Sequence, residues 1–151
     1  TKKIMCNYML GYISELYHKY MNKPQDFYYL SLSKEADGFY SIHGLWPQYS
    51  LNSYPTFCRP VNFSVDKLES IMDKLNKYWD STKDKNKDFW KHEYEKHGSC
   101  MFYAMSEFDY FNKIVELYEY ALINNIIKKK SDKNPNSNKI VLIIDSDLNI
   151  V

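Results

Sequence analysis

Two short stretches of this chain carry side chains that move protons. In "HEYEKHGSC", residues 92–100, His92, Glu93, Lys96 and His97 crowd into less than two helical turns. Glu93 and His97 are four apart, so on a helix their side chains lie over one another. Lys96 is three from Glu93 and four from His92, which brings all four groups to one edge. A carboxylate beside an imidazole favours the charged ring, whereas the ammonium and the second imidazole oppose it. That balance predicts titration near neutrality, where a histidine can exchange protons with a reacting group. In the other stretch, "FYSIHGLWPQY", residues 39–49, His43 precedes Trp46 by three residues, and Gly44 and Pro47 brace the run. A titratable ring close to a large flat one suits proton transfer beside a planar ligand.

Taken separately, each stretch has plainer readings. A zinc hydrolase helix spaces its histidines four apart, but His92 and His97 are five apart, about 140° round a helix. The same residues also fit a solvated helix laced with ion pairs. His43 fits a core histidine held by a neighbouring strand, and Trp46 fits a core tryptophan.

The surrounding sequence says which elements must hold these residues. From Ile4 to Tyr20 apolar residues recur with helical spacing, and Asn22-Lys23-Pro24 ends that helix. "DFYYLSLS" reads as a strand, Asp37-Gly38 as a turn, and Phe39 to Leu45 as the returning strand. Alternation places His43 on one face with Ser41 and Phe39, and Ile42 and Tyr40 on the other. Residues 47–63 hold three prolines and read as loop. Ser64 or Asp66 could cap a helix carrying Leu68, Ile71, Met72, Leu75 and Trp79. The polar run 80–88 reads as a solvated connection. "FWKHEYEKHGSC" then reads as a short helix closed by Gly98 as C-cap. Ser106 and Asp109 resemble a capping box opening a long helix with Phe108, Phe111, Val115, Tyr118 and Leu122. "KKKSDKNPNSNK" reads as a flexible connector and "IVLII" as a buried strand. Strands and helices without a βαβ rhythm predict an α+β fold, a mostly antiparallel sheet packed with several helices, with residues 1–151 as one domain.

Bulk properties narrow the partners. The net charge of +1 excludes bulk attraction to nucleic acid, so any polyanion must be met by a local cluster. No apolar run approaches the roughly 20 residues of a membrane span. The three cysteines, Cys6, Cys58 and Cys100, fit no common zinc spacing and leave open one disulfide or three free thiols. Asn62-Phe63-Ser64 is a glycosylation sequon, of a kind common by chance.

Together, "IHGLWP" and "FWKHEYEKHGSC" resemble the two active-site segments of the ribonuclease T2 family of metal-free endoribonucleases. Six residues such as those of the first segment recur at a given position about once in tens of millions by chance. "DFYYLSL" and "TFC" also resemble family segments, and the resemblance runs from residue 26 to about 125. It implies a single-stranded RNA substrate and no cofactor or metal. RNA supplies its own nucleophile, the 2′-hydroxyl, so cleavage needs a base, an acid and donors for the phosphorane. By resemblance His97 is the base and His43 the acid, with roles reversing when water opens the cyclic phosphate. Glu93 and Lys96 would stabilise the phosphorane, and His92 would hold the phosphate. Trp46 would stack on a base, Gly44 letting the backbone approach and Pro47 fixing the chain's exit. Tyr49 would help at that subsite, and Phe89 would pack on the second base. DNA, lacking the 2′-hydroxyl, would not be cut. Cys58 and Cys100 match a family disulfide closing a loop of about 40 residues, worth about 4 kcal/mol in the chain-entropy model.

Some features depart from the family. Ser33, Lys34 and Glu35 stand where a Gln-Trp-Pro stretch and a cysteine are usual, and "VLIIDSDLNIV" lacks the late cysteine pair. Base preference is therefore open. The resemblance points to a secreted or endomembrane location, with few covalent ties to support it, and to a monomer. The alternative is a retired nuclease fold serving as a binding module. The joint presence of His43, His97, Glu93 and Lys96 favours the enzyme.

Overall fold

A computed structural model of the chain describes residues 27–81 and 85–151. The N-terminal helix expected over Ile4–Tyr20, its Asn22-Lys23-Pro24 stop and Cys6 lie outside these residues.

β1 (Phe27–Lys34) and β2 (Tyr40–Gln48) form an antiparallel hairpin, and β3 (Lys139–Ile144) pairs antiparallel with the other side of β1. Among the described residues the sheet order is β2-β1-β3, which leaves β2 at an edge. Gly38 turns the hairpin at φ +86°, a backbone region that favours glycine. β2 runs three residues past the expected end at Leu45, through Trp46, Pro47 and Gln48. An edge position explains this, because a proline's missing N–H costs no interior ladder bond there.

Between β2 and β3 the chain is mostly helical. The helix expected after Ser64 divides into a 3-10 segment, Val65–Ile71, and α1 (Met72–Tyr78), and Ser64 makes no side-chain cap. α2 (Asn86–Lys96) takes in Asn86, Lys87 and Asp88, which the polar pattern had assigned to a connection. α3 (Glu107–Ile123) starts where the Ser106 side chain accepts from the Asp109 N–H. α4 (Ile126–Lys133) takes up the first half of the expected flexible connector. Ile127 is buried beneath it, Ile126 packs partly buried against the core, and Lys128 pairs with Asp132 at 2.8 Å, so two apolar anchors and an i,i+4 ion pair suffice where composition suggested disorder.

α3 carries the largest buried face, including Tyr110, Phe111, Ile114, Val115, Tyr118 and Ala121, whereas Leu122 turns outward. These residues pack with Leu30, Leu32, Ile42 and Leu45 of the sheet in one core. Two buried tyrosines also secure the edge strand: Tyr110 Oη donates to the Leu45 carbonyl at 3.2 Å and Tyr118 Oη to that of Tyr40 at 2.7 Å. β3 is buried on alternate residues, with Ile140, Leu142 and Ile144 inward and Ile143 outward, as an edge strand with one solvated face should be. No described helix is long and apolar enough to cross a membrane.

Candidate active site

The position of His43 depends on an irregularity of β2. Ser31 pairs with Gly44 and Leu32 with Ile42, so His43 has no partner across the ladder. One extra residue there lets Ile42 and Leu45, three apart, both face the core, where strict alternation would oppose them. The same step brings His43 and Trp46 to one face, ring centroids 5.2 Å apart and edge-on. Period-two reading could not show this. The available signal was Gly44, since glycine inside a strand often marks a bulge or a close approach. Here it marks both, because a Cβ on Gly44 would overlap the Glu93 carboxylate and stand 2.8 Å from the Trp46 indole nitrogen.

α2 supplies the opposite wall. Trp90 Nε1 donates to the Trp79 carbonyl at 2.8 Å and Tyr94 is buried, which turns Glu93 toward β2. α2 ends at Lys96, and His97 is its C-cap residue, yet the His97 N–H still bonds the Glu93 carbonyl at 2.9 Å. The four-residue stacking of Glu93 and His97 therefore survives the end of the helix. Gly98 is not the left-handed cap expected: it opens a 3-10 turn, Gly98–Cys100. Its lack of a side chain serves packing, because a Cβ would come within 2.5 Å of the Tyr94 ring.

Glu93, itself buried, is the hub. Its carboxylate lies 3.3 Å from His43 Nε2 and 3.7 Å from His97 Nε2, and it accepts from Trp46 Nε1 at 3.1 Å. The other nitrogen of His43 faces Ser33 Oγ at 3.4 Å. Phe89 meets His43 edge-on at 5.4 Å, and Trp46 stacks on His97 at 5.1 Å and 26°. His97 is thus covered: its side chain is 4% exposed, against 32% for His43. Burial drives the His97 pKa down to about 4. Glu93 pulls it upward, while Lys96, His43 and His92 add to the lowering. The near-neutral titration expected from spacing is therefore corrected, because desolvation of the ring outweighs its carboxylate neighbour. Nδ1 of His97 has no hydrogen-bond partner among the described residues.

Not every expected residue joins this cluster. His92 is exposed on the outer side of α2, edge-on to Phe57 at 6.2 Å. Lys96 forms no ion pair among the described residues; its carbonyl accepts from the Phe57 N–H at 2.8 Å. Tyr49 stands just past β2 in a turn closed by its N–H to the Ser53 carbonyl. The tyrosine ring that approaches His97 is that of Tyr54, at 6.5 Å. Tyr54, Phe57 and Ser33 were missed as site residues because two lie in a proline-rich loop without periodicity and the third in an ordinary strand. Cys58 and Cys100 form a disulfide that clamps this loop to the end of α2, and the Cys58 N–H also donates to Ser99 Oγ at 3.0 Å. Among the described residues, no group of three or more His, Cys, Asp or Glu is arranged to hold a metal ion.

Comparison with known proteins bears on this arrangement. Residues 6–146 match the profile of the Ribonuclease T2 family. The chain belongs to that family. Ribonuclease DdI of Dictyostelium discoideum is 42% identical over 88 residues, covering 57% of this chain and 39% of its own length. Ribonuclease T2 of Danio rerio is 29% identical over 110 residues, covering 70% of this chain and 44% of its own length. The chain therefore spans less than half the length of these ribonuclease T2 relatives. Among solved structures, ribonuclease MC1 from bitter gourd seeds superposes with a TM-score of 0.61 at 21% identity, covering 81% of this chain and 90% of that one. The RNase-related protein from Calystegia sepium gives 0.66 at 17% identity, covering 83% and 89%. The α+β fold, a three-stranded antiparallel sheet with four helices in the described part, is the one these structures share.

Proposed function

We propose that the protein is an endoribonuclease that cleaves single-stranded RNA by internal transphosphorylation, using His43 and His97 and no metal. The observation that carries this reading is the bridging of two imidazoles in unlike surroundings by one buried carboxylate. Such a pair divides acid from base, because the buried ring stays neutral down to a pH of about 4 while the partly exposed ring sits against a carboxylate. His97 takes the proton of the 2′-hydroxyl, O2′ bonds to phosphorus, the bond to O5′ breaks, and His43 protonates the departing O5′. Water then opens the 2′,3′-cyclic phosphate with the roles exchanged, which leaves a 3′-phosphate. Glu93 holds both rings, Lys96 offsets charge developing on the phosphorane, and His92 receives a phosphate oxygen. Trp46, aided by Tyr49, and Phe89 take the bases on either side. Because Trp46 stacks on His97 in the free protein, RNA entry requires the indole to move off that ring. The disulfide fits an oxidising, secretory route.

Incubation with a defined single-stranded RNA in a chelator tests this. Cyclic-phosphate ends followed by 3′-phosphate ends are expected, with DNA of the same sequence left intact. The acid limb of the kcat/KM profile should fall near pH 4, where His97 gains its proton. Activity that depends on added metal, or products without a cyclic intermediate, would overturn the proposal.

The second reading, a retired binding module, has one specific observation behind it: the indole that covers His97. A protein that binds the RNA tightly but leaves it whole over the full pH range would be that module.

A further inference from the structure

Phe57 combines features that core packing does not explain. Its φ is +49°, a left-handed conformation rarely adopted by bulky residues. Such backbone persists only where the surroundings over-determine it, and it gathers at ligand clamps. Here the clamp is visible: the Phe57 N–H is held by the Lys96 carbonyl at 2.8 Å, and the next residue, Cys58, is bonded to Cys100. Yet the ring so placed is 59% exposed and lies outside the hydrophobic core. Its ring partner among the described residues is His92, met edge-on, which leaves its faces unstacked by another described ring. The sequence thus holds a left-handed backbone with two anchors to present a flat apolar ring to solvent, edge-on to the His92 imidazole.

Exposed aromatic faces are how single strands are held, each base stacking on a ring with little regard to its identity. Trp46 and Phe89 both touch the Glu93-centred cluster and so serve the two bases beside the cleaved linkage. Phe57 touches His92 instead, one step further out. We infer that Phe57 is the stacking platform for a third nucleobase, one nucleotide beyond the two that flank the cleaved phosphate. The inference rests on the reading of the cleft as an RNA site and adds a subsite to it. The ring is a binding group and takes no part in the proton transfers.

Uncleavable 2′-deoxy oligonucleotides separate this subsite from catalysis. The whole protein binds a tetranucleotide and a dinucleotide of the same core sequence, and calorimetry gives the ratio of affinities. Phe57→Ala and Phe57→Gly should each weaken tetranucleotide binding about five- to tenfold, the low end of base-stacking effects, and leave dinucleotide binding unchanged. Phe57→Tyr should keep the wild-type ratio. Phe57→Gly relieves the positive φ, so its melting temperature should equal or exceed that of the wild type. Equal losses on both ligands, no loss on either, or a ratio in the wild type that does not favour the tetranucleotide would overturn the subsite. Failure of the nuclease reading would show separately, as absent RNA cleavage by the wild type whatever these ratios are.

Discussion

The two histidines of the cleft are chemically identical and physically unlike. His43 rides on an edge strand at a bulge, one third exposed, with a different partner at each ring nitrogen. His97 closes a helix, shielded by an indole, with its pKa down at about 4. The difference teaches that proximity to a carboxylate does not set a histidine's charge. Both rings share Glu93, and the degree of burial separates them. Of the nine residues of β2, His43 and Trp46 are the two left partly exposed, whereas the end of α2 is covered at His97.

Four experiments would break or sharpen that contrast. The largest effect is expected from His43→Ala and His97→Ala, each lowering RNA turnover by about 10²–10⁴-fold with the far-ultraviolet circular dichroism unchanged. Loss from only one of them would dissolve the pairing. Next, the disulfide anchors the His97 side alone. Replacing Cys58 and Cys100 by serine opens a cross-link of sequence separation 42 and should cost about 4 kcal/mol in urea unfolding. Amide exchange should rise around residues 56–58 and 97–100 and remain slow in β2.

The third experiment uses linkage. A histidine whose folded pKa is depressed binds its proton more readily when unfolded, so it withdraws stability as the pH falls from the unfolded value toward the folded one. Between pH 7 and pH 4 the wild type should lose about 3 kcal/mol relative to His97→Gln, measured by unfolding at each pH. Last, Gly44→Ala forces a methyl against Glu93 and Trp46 and should displace the hub from both imidazoles. A misplacement of about 1 Å predicts a fall in kcat of about 10²-fold with the fold retained. An unchanged rate would mean that the bridge is not needed.

Legibility from sequence differed between these regions for the same physical reason. The long stripe of α3 was plain, because one-sided burial imprints its period on the sequence, whereas β1, with Leu30, Ser31 and Leu32 all buried, showed only partial alternation. α4 was hidden, since a helix anchored only at its start, by Ile126 and Ile127, looks like a lysine-rich linker. The residues of the candidate site were readable as types and spacings, and the ends of β2 and of α2 lay within three residues of those expected. What could not be read was the bulge at His43, which breaks the period used to read a strand, and the loop that brings Tyr54 and Phe57 to the rim.

The sequence by itself determined the set of reactive groups, the four-residue relation of Glu93 to His97 and the family to which the chain belongs, all of them local matters of residue type and order. The tertiary structure decided which groups meet, that His97 is neutral and covered, and that Lys96 and His92 stand outside the carboxylate bridge. Desolvation and through-space contact depend on what chain-distant segments pack above a side chain, and no spacing along the chain encodes that.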